Sequence, residues 1–145
     1  MTQITDKLKA LQADAFVLFN KVHNYHWNVK GAQFYSIHQA TETIYEDLAT
    51  LFDDCAERVL QLGDKPYVTI KDYLAATRIS EEDASEFTPM QVVNSIIEID
   101  TFLLNEFNAL SDLADAENDK GTISFADEQV AKLEKELWML KSMAA

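Results

Sequence analysis

Residues 26–31 read His26-Trp27-Asn28-Val29-Lys30-Gly31, and residues 34–62 read FYSIHQATETIYEDLATLFDDCAERVLQL, with His38 near the start and Asp53, Glu57 and Arg58 near the end. Gly31 is the only glycine before Gly63, and glycine is the residue that lets a helix end and turn back. The apolar pattern therefore predicts one helix ending near Lys30 and a second running from about Phe34 to Leu62. In such an αα-hairpin His26 and His38, on either side of the turn, face each other across neighbouring helices. On a wheel of roughly 100° per residue, Ile37, Ile44, Leu48, Leu51, Phe52, Cys55, Val59 and Leu62 fall in one arc, the expected core face. His38, Glu42, Glu46, Asp53 and Glu57 fall in a separate arc, a stripe of potential metal ligands beside the apolar one.

Distance constrains how those ligands are used. At ~1.5 Å per residue, His38 and Asp53 stand about 22 Å apart along one helix, whereas first-shell bonds to such metals are about 2 Å. Either the two belong to different sites, or a second subunit supplies the carboxylates. Two copies of this helix packed antiparallel about a two-fold axis near Tyr45 and Glu46 bring His38 opposite the other copy's Asp53, and do so twice, as an isologous interface must. The leading expectation is a metal site across a homodimer, with His26 and His38 from one chain and Asp53 and Glu57 from the other.

Outward from this core, the first helix is expected from Thr2 or Thr5 to about Val29, with Leu8, Leu11, Ala15, Leu18, Val22 and Tyr25 inward. Leu62-Gly63-Asp64-Lys65-Pro66 stops the second helix. Residues 69–77 suit a short helix capped by Thr69, and residues 78–88 read as a polar connection. Thr88-Pro89 opens a third long helix to about Glu117, carrying Val92, Val93, Ile96, Ile97, Phe102, Leu103, Phe107, Leu110 and Leu113. After Asn118-Asp119-Lys120-Gly121, a last helix begins at Thr122 or Ser124, with Val130, Leu133, Leu137, Trp138 and Leu140 inward. Four long helices and a short one predict an all-α four-helix bundle in a single domain, 1–145. The connection from Gly63 to Thr88 is long enough to cross the bundle end to end, making the middle pair of long helices parallel.

Composition narrows the function. With 145 residues, 48% hydrophobic, 3 Gly and 2 Pro, the chain has material for a core and too few turn residues for an all-β fold. One cysteine excludes an internal disulfide and fits a reducing compartment. With no signal-peptide pattern at the N-terminus and no apolar run of ~20 residues, a cytoplasmic protein without a membrane partner is expected. The net charge is −13, and the basic residues are scattered; such a surface repels phosphate backbones and attracts cations.

Imidazole combined with carboxylate suits Fe(II), Mn(II) or Zn(II), and a two-His, carboxylate set with open positions favours ferrous iron and oxygen chemistry. Some four-helix bundles build a di-iron centre inside the bundle with Glu-x-x-His motifs. This sequence has no Glu-x-x-His, its histidines being 23, 26 and 38, which excludes that centre and leaves an interface site. Taken alone, His23 reads as an ordinary satisfied polar side chain, Trp27 as core or interface, and Asp53 and Glu57 as a solvated pair beside Arg58.

The stretch His26-Trp27-x-Val29-x-Gly31, followed after six residues by His38-x-x-x-Glu42, resembles the first signature of the Dps family, the bacterial mini-ferritins. Phe52-Asp53-x-x-Ala56-Glu57-Arg58 with Leu62-Gly63-x-x-Pro66 resembles the second. The likeness runs to Trp138-Met139 and is nearest the neutrophil-activating-protein branch; Cys55 departs from the aliphatic residue usual there, a change of packing. The resemblance implies a ferritin-like bundle with one long crossover carrying a short helix, assembled through dimers into a hollow dodecamer. It implies a ferroxidase that oxidises Fe(II) at inter-subunit sites, with hydrogen peroxide the preferred oxidant, and stores ferric mineral in the cage. His26, His38, Asp53 and Glu57 become the metal ligands, with Glu57 bridging toward a second, weaker iron. Two adjacent irons give peroxide two electrons at once and so yield water instead of hydroxyl radical. Trp27 becomes an electron donor when one iron is present, and zinc a possible competitor. Glu42 and Glu46 are candidates for nucleating mineral. The acidic residues between Asp112 and Glu128 are candidates for a threefold cation pore. The alternative is a nucleoid-protecting protein that coats DNA, as many family members do through Lys- or Arg-rich tails. Here only Lys7 and Lys9 precede the body of the first helix, so DNA binding is expected to be weak. A plain helical scaffold is the third class.

Overall fold

The computed structural model describes residues 2–145, and these described residues form five helices: α1 (Gln3–Asn28), α2 (Phe34–Gln61), α3 (Ile70–Ala76), α4 (Pro89–Ala116) and α5 (Lys120–Ala144). They divide into two compact units, one ending at Pro89 and the other spanning Met90–Ala145.

In the first unit, α1 starts with a reciprocal cap: the Thr2 hydroxyl accepts from the Thr5 backbone N–H, and the Thr5 hydroxyl accepts from that of Thr2, both at 3.2 Å. This satisfies amides that a helix start otherwise leaves without partners. Its apolar stripe, Leu8, Leu11, Ala15, Leu18, Val22 and Tyr25, is buried as the spacing predicts. Ring contacts pair Phe16 with Phe52, Phe19 with Tyr45 and His26 with His38. As the numbers rise on α1 they fall on α2, so the pair is an antiparallel hairpin. Ile37, Ile44, Leu48, Leu51, Cys55 and Val59 form the buried face of α2. Phe52 is half-buried, and Leu62, expected on that face, is exposed. Leu62 is the C-cap of α2, so the helical wheel no longer sets its direction. Burial pushes the Cys55 thiol up, away from reactive thiolate.

The crossover lies along α1 as a strap. Gln12 Nε2 donates to the Tyr67 carbonyl at 2.8 Å while its Oε1 accepts from the Tyr67 N–H at 3.1 Å. Asp14, fully buried, accepts from the Thr77 hydroxyl at 2.9 Å, the Arg78 N–H at 2.8 Å and the Arg78 guanidinium at 2.7 Å. Lys21 donates to the Ser80 carbonyl at 2.7 Å, and Asn24 to those of Glu82 and Ala84 at 3.0 and 2.9 Å. Phe87 closes the strap: its N–H donates to Asn28 O at 3.1 Å, its carbonyl accepts from Lys30 N at 2.9 Å, and its buried ring meets Tyr25 edge-on. Residue numbers rise together on both sides, so the crossover runs the length of α1 and returns to the α1–α2 turn. On the way α3, capped by Thr69, lays Tyr73 against Phe16 and Phe52. Segment 78–88 is thus polar, as expected, but it is held along its length and buries Phe87. At the turn, Gly31 has φ +124°, and a Cβ there would lie 3.3 Å from Pro89 Cδ. Positive φ and close approach both call for glycine.

Pro89, the last residue of the first unit, occupies the first position of α4, as expected, and the rest of that helix lies in the second unit. The turn to α5 contains Asn118 at φ +56°. α5 begins at Lys120, two residues ahead of the Thr122 start and four ahead of the Ser124 start. The reason is Asp119: its carboxylate accepts from the Thr122 N–H at 3.1 Å and the Thr122 hydroxyl at 2.6 Å, making it the cap. Phe107 meets Phe125 edge-on, and the Ser111 hydroxyl donates to Asp127 at 2.6 Å. Val92, Val93, Ile96, Leu103, Phe107, Leu110, Leu133, Leu137 and Leu140 are buried; Ile97, Phe102, Leu113 and Val130 are half-buried. Trp138, expected inward, is 66% exposed, because it follows buried Leu137 by one position, roughly 100° around the helix.

Asp100 was not foreseen in the interior. It is 2% exposed and contacts Glu136. Two ionised carboxylates supply no donor, and Asp100 Oδ2 then lacks a partner. Burial, and then Glu136, push the Asp100 carboxyl up to about 10, so the pair holds a proton. Among the described residues no helix is long and apolar enough to cross a membrane.

Candidate metal centre

The C-terminal turn of α1 and the first turns of α2 bring two of the four expected ligands together. The His26 and His38 imidazoles stack with centroids 3.6 Å apart and planes at 16°. Each ring's Nδ1 bonds the other residue's backbone carbonyl, His26 to His38 O at 2.7 Å and His38 to His26 O at 2.9 Å. A carbonyl oxygen only accepts, so both Nδ1 atoms carry hydrogen, and a neutral ring keeps its lone pair on Nε2. That is the orientation and tautomer in which a backbone carbonyl prepares imidazole for a metal. Burial pushes His26 below the usual histidine range; the bond to the His38 carbonyl opposes this, and the neighbouring rings and Glu42 contribute in opposite senses. A depressed histidine is neutral at pH 7, the form that binds metal.

Asp53 and Glu57 stand exposed one turn apart on the far half of α2. Because α2 is continuous from Phe34 to Gln61, about 22 Å of helix separates them from His38. Among the described residues no group of three His, Cys, Asp or Glu side chains is positioned to hold a metal ion. One chain therefore presents two histidines at one place and two carboxylates at another. The Arg58 guanidinium donates to Gln61 at 2.9 Å. Trp27 is 62% exposed, its ring 5.3 Å from that of His23.

Three supports of the histidine pair escaped the sequence reading. The Thr41 hydroxyl, buried, lies 3.0 Å from His26 Nδ1 and donates to the Ile37 carbonyl at 2.7 Å. Its place three residues after His38 was the available signal. Phe34 stacks on His38 at 5.1 Å, and Tyr45 meets the His26 ring edge-on at 5.1 Å. His23, expected to be a satisfied polar side chain, is one: its Nδ1 bonds the Phe19 carbonyl at 2.7 Å.

The sequence matches the family model of the ferritin-like domain over residues 5–145. It is 50% identical to the DNA protection during starvation protein of Helicobacter pylori strain J99, over 95% of this chain and 96% of that one. The chain belongs to the ferritin-like family, among the Dps proteins.

Solved Dps-like structures share its fold. The Helicobacter cinaedi protein CAIP is similar with a TM-score of 0.97 and 46% identity, covering 99% of this chain and 100% of that one. The Dps protein of Vibrio cholerae O1 is similar with a TM-score of 0.93 and 29% identity, covering 99% and 89%. The latter is described as a member of a broad superfamily of ferritin-like diiron-carboxylate proteins. The expected all-α, ferritin-like fold is thus the Dps fold. In this Dps chain, the imidazole nitrogens facing away from the backbone are borderline donors suited to first-row divalent metals, and the carboxylates are hard ones.

Proposed function

We propose that the protein is an iron-storing ferroxidase that removes peroxide, built as a dimer-based dodecamer of single-domain 1–145 subunits. The observation that carries this is the reciprocal Nδ1-to-carbonyl locking of His26 and His38, which commits both Nδ1 atoms to the backbone and leaves both Nε2 atoms for a metal. His26 and His38 of one chain and Asp53 and Glu57 of a second complete each ferrous site, the two chains packing α2 antiparallel near Tyr45 and Glu46. Two Fe(II), one hydrogen peroxide and two protons then give two Fe(III) and two waters. Ferric mineral collects inside the shell, and zinc competes for the same donors. The protein works in the cytoplasm.

The test is anaerobic Fe(II) titration followed by peroxide, with native mass measured on the same sample. Saturable ferrous binding, peroxide-driven oxidation faster than with dioxygen, and a mass near twelve times 16.5 kDa are expected. A monomer binding ferrous iron tightly would overturn the shared site.

The name of the Helicobacter pylori relative favours a second reading, protection of DNA by direct association. The net charge of −13 opposes it. A gel shift across salt concentration decides, because phosphate binding weakens steeply as salt rises.

A further inference from the structure

The two imidazoles of the pair are not held alike. His38, half-buried, gives its Nδ1–H to the His26 carbonyl at 2.9 Å. His26, 5% exposed, has two acceptors for its Nδ1–H: the His38 carbonyl at 2.7 Å and the Thr41 hydroxyl oxygen at 3.0 Å. A single acceptor lets a ring tilt about its N–H bond. A second acceptor on the same hydrogen narrows where that hydrogen points and so restrains the ring.

Thr41 is itself tied down. It is 1% exposed. Its one hydroxyl hydrogen serves the carbonyls of the preceding turn of α2, Ile37 O at 2.7 Å and His38 O at 3.0 Å. Carbonyls only accept, so the hydrogen lies on their side and a lone pair is left for His26 Nδ1–H. Branching at Cβ leaves threonine few rotamers in a helix, and a bond to the carbonyl one turn back selects among them. The oxygen is therefore held in place by α2 while it restrains a ring on α1.

We propose that Thr41 is a positioning residue of the metal centre, its hydroxyl oxygen fixing the His26 ring in the orientation from which Nε2 takes a divalent ion, an inference that rests on the ferroxidase reading. The ring is aimed before the ion arrives, so binding does not have to arrest its motion. His38, with one acceptor at Nδ1 among the described residues, is the freer of the two rings. Thr41 acts through His26 and touches neither ion nor oxidant. Valine at this position keeps the branched shape and removes the oxygen. Serine keeps the oxygen and removes the methyl group. The two substitutions therefore separate the hydrogen bond from the packing.

The experiment titrates Co(II), a stand-in for Fe(II) followed by its visible absorption, into assembled wild type, Thr41→Val and Thr41→Ser. Melting temperatures are read on the same proteins without metal. Thr41→Val should bind Co(II) about tenfold more weakly than wild type, and Thr41→Ser should recover to within about threefold. A threonine that only packs would shift the melting temperature and leave Co(II) affinity unmoved. Binding by Thr41→Val within about twofold of wild type, or by Thr41→Ser no tighter than by Thr41→Val, overturns the proposal and leaves the ferroxidase reading intact. Wild-type crystals, metal-free and soaked in Co(II), decide without any substitution. The bond from His26 Nδ1 to Thr41 should persist with the ion bound, and a His26 ring that turns away from Thr41 to reach the ion overturns the proposal. Wild type that binds no Co(II) overturns both.

Discussion

If each site takes its imidazoles from one chain and its carboxylates from another, two inactive variants should rescue one another. The geometry behind this is the roughly 22 Å of uninterrupted helix between His38 and Asp53, set against metal–ligand bonds of about 2 Å. In a homodimer of His38→Ala every site lacks an imidazole, and in one of Asp53→Ala every site lacks a carboxylate. Expressed together in equal amounts, the chains pair at random and half the dimers are mixed. A mixed dimer has one site with both halves intact and one with both damaged, so about a quarter of all sites is restored. A second mixture makes the comparison quantitative: wild type with a chain carrying both substitutions. Shared sites again leave about a quarter active, from the wild-type homodimers, whereas sites within one chain leave about half. Initial rates of ferrous oxidation by peroxide, per chain and with native mass as the control for assembly, read both numbers. No activity in the first mixture and half in the second would refute the shared site.

Three further outcomes follow from groups away from the ligands. Asp100 is raised from 3.8 to about 10, so at pH 7 folding takes up a proton at a cost of up to about 4 kcal/mol. Its contribution is fully present below the unfolded value and is lost as pH rises toward the folded one. Asp100→Asn should therefore raise the melting temperature near pH 7 by up to roughly 15 °C, the gain growing with pH; equal pH slopes in both proteins would count against the shared proton. Asp14→Ala leaves the Thr77 and Arg78 donors without their acceptor. Because Arg78 reaches solvent, the expected cost is roughly 2–4 kcal/mol, read by urea unfolding at fixed protomer concentration. Gly31→Ala meets both the positive φ and Pro89 and should cost about 1–3 kcal/mol; an unchanged melting temperature would show that the turn relaxes freely.

The hairpin was legible because two glycines punctuate a strong period. The His26–His38 meeting followed from their even placement about Gly31, and the separation of His38 from Asp53 followed from helix rise alone. The side chains that hold those rings were harder to see. Thr41 follows His38 by three residues, a spacing that was its one signal, and a tyrosine between two glutamates gives none in one dimension. Trp138 was misplaced because an apolar side chain next to a buried one was counted with it. The start of α5 turned on whether Asp119, Thr122 or Ser124 supplied the cap, and composition alone does not separate them. Asp100 was invisible for a different reason: an acid between apolar turns reads as surface until a second acid is seen to share its proton.

The strap along α1 bears on anyone who redesigns this surface. Gln12, Lys21 and Asn24 look, by residue type, like freely replaceable outside positions. Their amides and ammonium are instead the donors for carbonyls at Tyr67, Ser80, Glu82 and Ala84, which sit in a segment without a ladder of its own. Swapping them for generic solubilising residues would strip those carbonyls of partners one after another. Polar composition on this flank is dictated by the backbone beneath it, and a library that varied the flank at random would select these three residues back.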